Sequence, residues 1–176
     1  MIITPYASFT RPANTTAYAS GDLVANSATA GNVEPLRFGV QKMGRANGVI
    51  GFARLLKSDP TVTNANFNLH LFATSPTVTN GDNGAFAVSN AESFLGTINF
   101  DLTSEAFVTA TDVIKRCPFT HTVGGTVFPG LLAFDLDLMA DGGRIIYGLL
   151  AAAAAYTPAS AEQFKIWLEI GSGDNS

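Results

Sequence analysis

The chain has 176 residues, which suits one ordinary domain, since a single β-sandwich or barrel routinely reaches ~200 residues without dividing. Hydrophobic residues make up 47% and charged residues 14%, against a typical charged share of roughly 25%, so much of the surface must be neutral and fit for burial against partners. A net charge of −4 without a Lys/Arg cluster argues against nucleic acid as a ligand, and the single cysteine excludes an intrachain disulfide.

The charge is unevenly placed: residues 1–60 hold six basic side chains against three acidic ones, a net +3, and the remainder carries −7. Such asymmetry can steer docking on an acidic neighbour, or it can be scattered solvated charge. Met1-Ile2-Ile3-Thr4-Pro5 lacks the basic and apolar regions of a signal peptide, so synthesis and retention in a cytoplasm, or packing there into a particle, is the expectation. The longest apolar stretch, Ile145 to Tyr156, has 12 residues, short of the ~20 that a membrane helix needs.

Residues 1–35 are rich in Thr, Ala, Asn and Ser, a composition that fits an arm wrapping a neighbouring subunit or a peripheral strand lying across the chain's own sandwich. Residues 36–176 read as the sandwich itself. Leu36–Gln41 and Val49–Leu56 are aliphatic and aromatic segments bounded by turn chemistry, as strands are. Phe67–Ala73 alternates, with Phe67, Leu69 and Leu71 on one face and Asn68 and His70 on the other. Asn80-Gly-Asp-Asn-Gly84 then supplies residues tolerant of positive φ for a reversal.

A short helix is possible at Ala91–Phe94, followed by strands over Phe94–Leu102 and Thr109–Ile114. Gly124-Gly125 marks a turn. Leu132–Met139 alternates again, Asp141-Gly142-Gly143 turns, and Ile145–Ala154 is a further strand. Five alanines at 151–155 favour a helix by propensity; flanking strand patterns and Pro158 favour an extended strand whose small side chains admit a second sheet or a neighbouring subunit. A short helix is possible at Ser160–Gln163 too; Phe164–Ile170 follows, where Phe164, Ile166, Leu168 and Ile170 share a face, and Gly171-Ser172-Gly173 turns. Strands and turns spaced by about ten residues predict an all-β, antiparallel, two-sheet β-sandwich.

Chemistry is sparse. A nucleophilic site needs a base and an orienting group, yet the only two histidines are His70, mid-strand, and His121, four positions from Cys117. On extended chain those four residues span roughly 13 Å. One Cys and two separated His give no zinc spacing. Asp135, Asp137 and Asp141, or Asp82 with Asn83, offer oxygen for a hard cation, but no calcium-loop motif surrounds them and solvated carboxylates explain them. Gly39-Val-Gln-Lys-Met-Gly44-Arg45 lacks the Gly-Lys-Ser/Thr ending of a phosphate loop. No catalytic residue, metal or cofactor is implied, and the chain reads as a non-enzyme.

The segment Phe9-Thr-Arg-Pro12-Ala-Asn14-Thr-Thr-Ala-Tyr18-Ala-Ser-Gly21-Asp22-Leu-Val24-Ala-Asn26-Ser27 resembles the opening of a group of small tailed-phage virion proteins. The resemblance continues through Gly48–Lys57, Phe67–Pro76, Asp82-Asn83, Phe94-Leu95-Gly96 and Tyr156–Phe164. It implies a jelly-roll-like domain of the capsid decoration, or cement, type. Such a protein sits on the virion surface, binds the major capsid protein and acts as a homotrimer. On that reading Arg11 and Arg37 are the residues offered to an acidic capsid patch. Tyr18-Ala-Ser-Gly21-Asp22-Leu-Val24 is also similar to the opening of small chitin-binding modules, which would make the chain a glycan-binding module or surface adhesin. The aromatic pair that follows in those modules is missing: the next aromatic is Phe38, and the only Trp is Trp167.

Overall fold

A computed structural model of the chain describes residues 2–40, 48–123, 126–134 and 144–172. The strands in order are β1 Ile2–Ile3, β2 Tyr6–Thr10, β3 Leu23–Val24, β4 Leu36–Gly39, β5 Gly48–Lys57, β6 Asn66–Phe72, β7 Phe94–Asp101, β8 Phe107–Val108, β9 Val113–Pro118, β10 Thr120–Val123, β11 Thr126–Pro129, β12 Leu132–Phe134, β13 Ile145–Ala152 and β14 Gln163–Ser172. Single 3-10 turns at Ala30–Asn32 and Ala91–Ser93 are the helical elements among the described residues.

Every strand pair is antiparallel, and the pairs nest. β2 joins β14, β4 joins β13, β5 joins β9 and β6 joins β7. The chain is thus one long hairpin whose successive pairs alternate between two sheets. Sheet one runs β2-β14-β5-β9, extended by β1, β12 and β8; sheet two runs β4-β13-β6-β7, with β3 beside β4 on the edge of β13. This nesting is the jelly-roll topology, an antiparallel two-sheet sandwich.

The core lies between the sheets. Phe67, Leu69, Leu71, Phe164, Ile166, Leu168 and Ile170 are enclosed there with Phe38, Ile98, Phe100 and Ile146. In β5 the inward positions change parity: Gly48 and Ile50 face in, then Ala53, Leu55 and Lys57. A bulge opposite Glu169–Ile170 makes the change by inserting Gly51. Its consequence is that Lys57 ends up inside.

A second apolar cluster covers the outer face of sheet two. Leu23, Phe72, Val78, Tyr147 and Leu149 are buried there beneath the segments around 22–33 and 73–90. β13 is therefore buried on both faces from Ile146 to Ala152, which is why its side chains become small toward that end. The alanine run stays extended as far as Ala152, where Ala152 N–H donates to Asp22 and its carbonyl accepts from Gly21.

Some sequence expectations shift. Residues 2–3 and 6–10, expected as an arm or peripheral strand, pair with β14 of the same sandwich. Thr109–Ile114 straddles the β8–β9 hairpin: Thr109 N–H donates to Asp112 across the turn, and the strand begins at Val113. Ser160–Gln163 is a turn with Ala161 at φ 53, not a helix. Gly171 lies within β14. The Leu132–Met139 strand is seen to Phe134; its remainder, with Gln41 and the turns at 124–125 and 141–143, falls outside the described residues.

Candidate interaction surfaces

Two side-chain constellations stand out, one exposed and one enclosed. The exposed one lies on the outer face of sheet one. Cross-strand register puts Tyr6 beside Trp167, Trp167 beside Arg54 and Arg54 beside Arg116; one row away, Glu169 sits opposite Phe52. Pro5 C=O accepts from Leu168 N–H and Arg11 N–H donates to Glu162 C=O, so bonded pairs fall at odd positions of β2. Tyr6–Trp167 is then a non-bonded pair, the kind that brings side chains closest. The two ring centroids are 6.3 Å apart.

Cations lie over these rings. Lys165 Nζ is 4.4 Å from the Tyr6 centroid and 4.9 Å from that of Trp167; Arg54 is 5.4 Å above Trp167, and Arg116 is 3.5 Å above Phe52. Arg116 also forms a bidentate pair with Glu169, at 2.8 and 2.5 Å, while Arg54 Nε is 3.5 Å from the same carboxylate. The Arg116 hydrogen bonds hold the Glu169 carboxyl below its usual range. Lys165 has no carboxylate partner among the described residues. Tyr6 is 58% exposed, and Phe107, at 68%, lies on the same face at the far edge of the sheet, opposite Ile114.

The enclosed constellation sits at the end of the sandwich where β2 and β5 finish and β14 begins. Each N–H of the Arg11 guanidinium has an acceptor: Nε donates to Tyr18 Oη at 2.8 Å, Nη1 to the carbonyls of Asn14 and Ala159, and Nη2 to Asn14 Oδ1 and Asp82 Oδ2. Asp82 also accepts from Tyr18 Oη at 2.5 Å and from Ala25 N–H at 2.9 Å. Burial, reinforced by Asp82, pushes the Tyr18 hydroxyl pKa far up.

Next to it, Lys57 Nζ donates to Glu162 at 3.0 Å and to Asp59, and Tyr156 Oη donates to the Glu162 carboxylate. Burial raises the Glu162 pKa. The Tyr18 and Tyr156 rings lie near-parallel, 8° apart, between the two ion pairs.

Arg11, offered by the sequence as a surface contact, is therefore corrected: it is 2% exposed, and the acid that it meets is Asp82 of its own chain. Arg37 is exposed, with its guanidinium 5.7 Å over the Tyr147 ring. The Asp82 oxygens, suggested for a hard cation, are taken by Arg11, Tyr18 and Ala25. Asn80–Gly84 reverses the chain as expected, between the antiparallel Val78 and Val88, and Gly81 also serves a close approach. A Cβ on Gly81 would stand 2.1 Å from the Ala28 carbonyl, and Asn83 sits at φ 63. Asp135, Asp137 and Asp141 lie outside the described residues.

Cys117 is buried, which pushes its thiol pKa up, away from nucleophilic use. His70 packs 4.5 Å from Phe86, its Nδ1 2.8 Å from Thr97 Oγ1. Among the described residues no group of three or more His, Cys, Asp or Glu could hold a metal, and no helix is long and apolar enough to cross a membrane.

No family model matches the chain, and no curated protein does. Among solved structures it is similar to the Triatoma virus empty capsid, at 12% identity and TM-score 0.29 over 98% of this chain and 70% of that one. It is also similar to the semi-empty VLP of Macrobrachium rosenbergii nodavirus, at 10% identity and TM-score 0.30 over 98% and 92%. A candidate sugar-binding protein from Bacteroides thetaiotaomicron is similar at 15% identity and TM-score 0.28 over 94% and 87%.

Proposed function

We propose that the chain is a non-enzymatic structural subunit of a virus particle, and more finely a decoration protein that binds the major capsid protein on the outside of a tailed-phage head. The observation that carries this reading is the outer face of sheet one. Tyr6, Phe52 and Trp167 lie there on an open sheet surface under Arg54, Arg116 and Lys165, and not in a cleft where reacting groups converge. A broad aromatic and cationic face suits docking on an acidic, semi-apolar neighbour. Repetition around a shell makes many weak contacts strong together. The resemblance of residues 9–27 to phage virion proteins points the same way, and Arg37 remains available for an acidic patch.

Cryo-EM and mass spectrometry of purified particles test this reading. Density for the chain on the head surface is the expected result; its absence from the particle overturns the reading. A second reading, binding of a surface glycan, is favoured by the Tyr6–Trp167 pair, because an exposed Tyr6 ring beside a half-buried Trp167 ring brings together two aromatics that the sequence alone leaves apart. It predicts retention on a polysaccharide column that Trp167→Ala abolishes. Equal retention of the two proteins would dismiss it.

A further inference from the structure

The edge of sheet one at β2 is unfinished. Bonded pairs with β14 fall at Pro5, Ala7, Phe9 and Arg11, because bonded and non-bonded pairs alternate along an antiparallel ladder. The N–H and C=O groups of Tyr6, Ser8 and Thr10 therefore point away from β14, and among the described residues nothing takes them up. Natural edge strands are usually blunted by charge, proline or a bulge. Tyr6-Ala-Ser-Phe-Thr10 has none of these.

This edge borders a groove of about 560 Å³ whose far wall is Asn26 and Glu34–Arg37. Glu34 lies toward the Thr10 end, since it shares a smaller cleft with Phe9, Val33 and Leu36, and β4 carries Arg37 toward the Tyr6 end. Glu34 and Arg37 are both exposed, and neither is in an ion pair among the described residues.

We propose that β2 pairs antiparallel with β2 of a second copy about a twofold axis at Ser8, joining two copies of sheet one into a continuous sheet. Tyr6 then lies opposite Thr10 of the partner subunit and Ser8 opposite its own counterpart, which satisfies every outward backbone group. Charge selects a second copy over an arbitrary extended peptide: a twofold reverses the strand direction, so Glu34 of each copy faces Arg37 of the partner subunit. Isologous contacts close on themselves and do not propagate into fibres. This contact stands apart from the virion reading and departs from the trimer implied by the sequence resemblance.

Sedimentation equilibrium on the full chain tests it, with a mass of twice 18.4 kDa expected. Ser8→Lys places like charges across the axis and should weaken association at least about tenfold. The monomer should still fold and melt cooperatively, with at most a small loss of stability, because Ser8 is exposed and its outward backbone is outside the β14 ladder, the one cost being a lysine opposite Lys165. Arg37→Glu should weaken the dimer too, and adding Glu34→Arg should restore it. A monomer at every concentration, a dimer or trimer indifferent to Ser8→Lys, or a charge swap that restores nothing would overturn the contact. Each of those outcomes leaves the virion reading standing, whereas a dimer that is missing from purified particles would do the reverse.

Discussion

The two sheets of this sandwich have outer faces with opposite fates. On sheet two the chain returns over itself: Leu23, Phe72, Val78, Tyr147 and Leu149 form a second core beneath residues 22–33 and 73–90. On sheet one none of the described residues returns in this way, and Tyr6, Phe52 and Trp167 stay at the surface with cations laid over their rings. The difference teaches which face the chain covers with its own segments and which of its faces the proposed docking would use. The Arg11–Asp82 pair ties the covering segment to sheet one, since Asp82 lies on the 73–90 segment and Arg11 at the end of β2.

The largest effect should come from breaking that pair. Asp82→Ala leaves a buried guanidinium without its counter-charge, which typically costs about 3–5 kcal/mol. Urea unfolding measures the loss, and hydrogen exchange should show the 73–90 backbone losing protection before sheet one does. A loss below about 1 kcal/mol would mean that the pair does not hold the cover in place.

A matched truncation then sharpens the contrast. Tyr147→Ala, at a side chain 6% exposed under the cover, should cost about 3 kcal/mol. Tyr6→Ala, at 58% exposed on the open face, should cost under about 1 kcal/mol while weakening attachment to the particle. Equal losses of stability would erase the distinction between a finished face and an open one.

Alternation reveals β6 and β14 in the sequence because each sets one face on the core, where a one-residue slip would expose it, whereas β7 and β13 are legible as apolar segments between turns, β13 because both of its faces are buried. β2 alternates as well, but Ala7 and Phe9 are its only inward residues, so the segment reads as a pliant arm. The enclosed ion pairs are illegible for a different reason. Lys57 and Glu162 are separated by 105 residues and Arg11 and Asp82 by 71, and a bulge at Gly51 is what turns Lys57 inward. The aromatic platform likewise joins the two ends of the chain, Tyr6 and Trp167, which no local motif can announce.

The smallest expected effect concerns acid at His70, on the covered face. His70 lies under that cover between Phe86 and Phe94, and burial lowers its pKa from the ordinary value of 6.5. The unfolded chain therefore binds this proton at a higher pH than the folded one, and stability contributed by the neutral ring is whole above about pH 6.5 and declines as pH falls toward the folded value. Glu162 acts with the opposite sign, its raised pKa favouring the fold as pH falls toward 4.5. Comparing wild type with His70→Gln isolates the imidazole. The difference in melting temperature between them should change between pH 7.5 and 5.5, with exchange at 73–90 quickening in wild type only. Parallel pH curves for the two proteins would show that the cover does not depend on an uncharged His70.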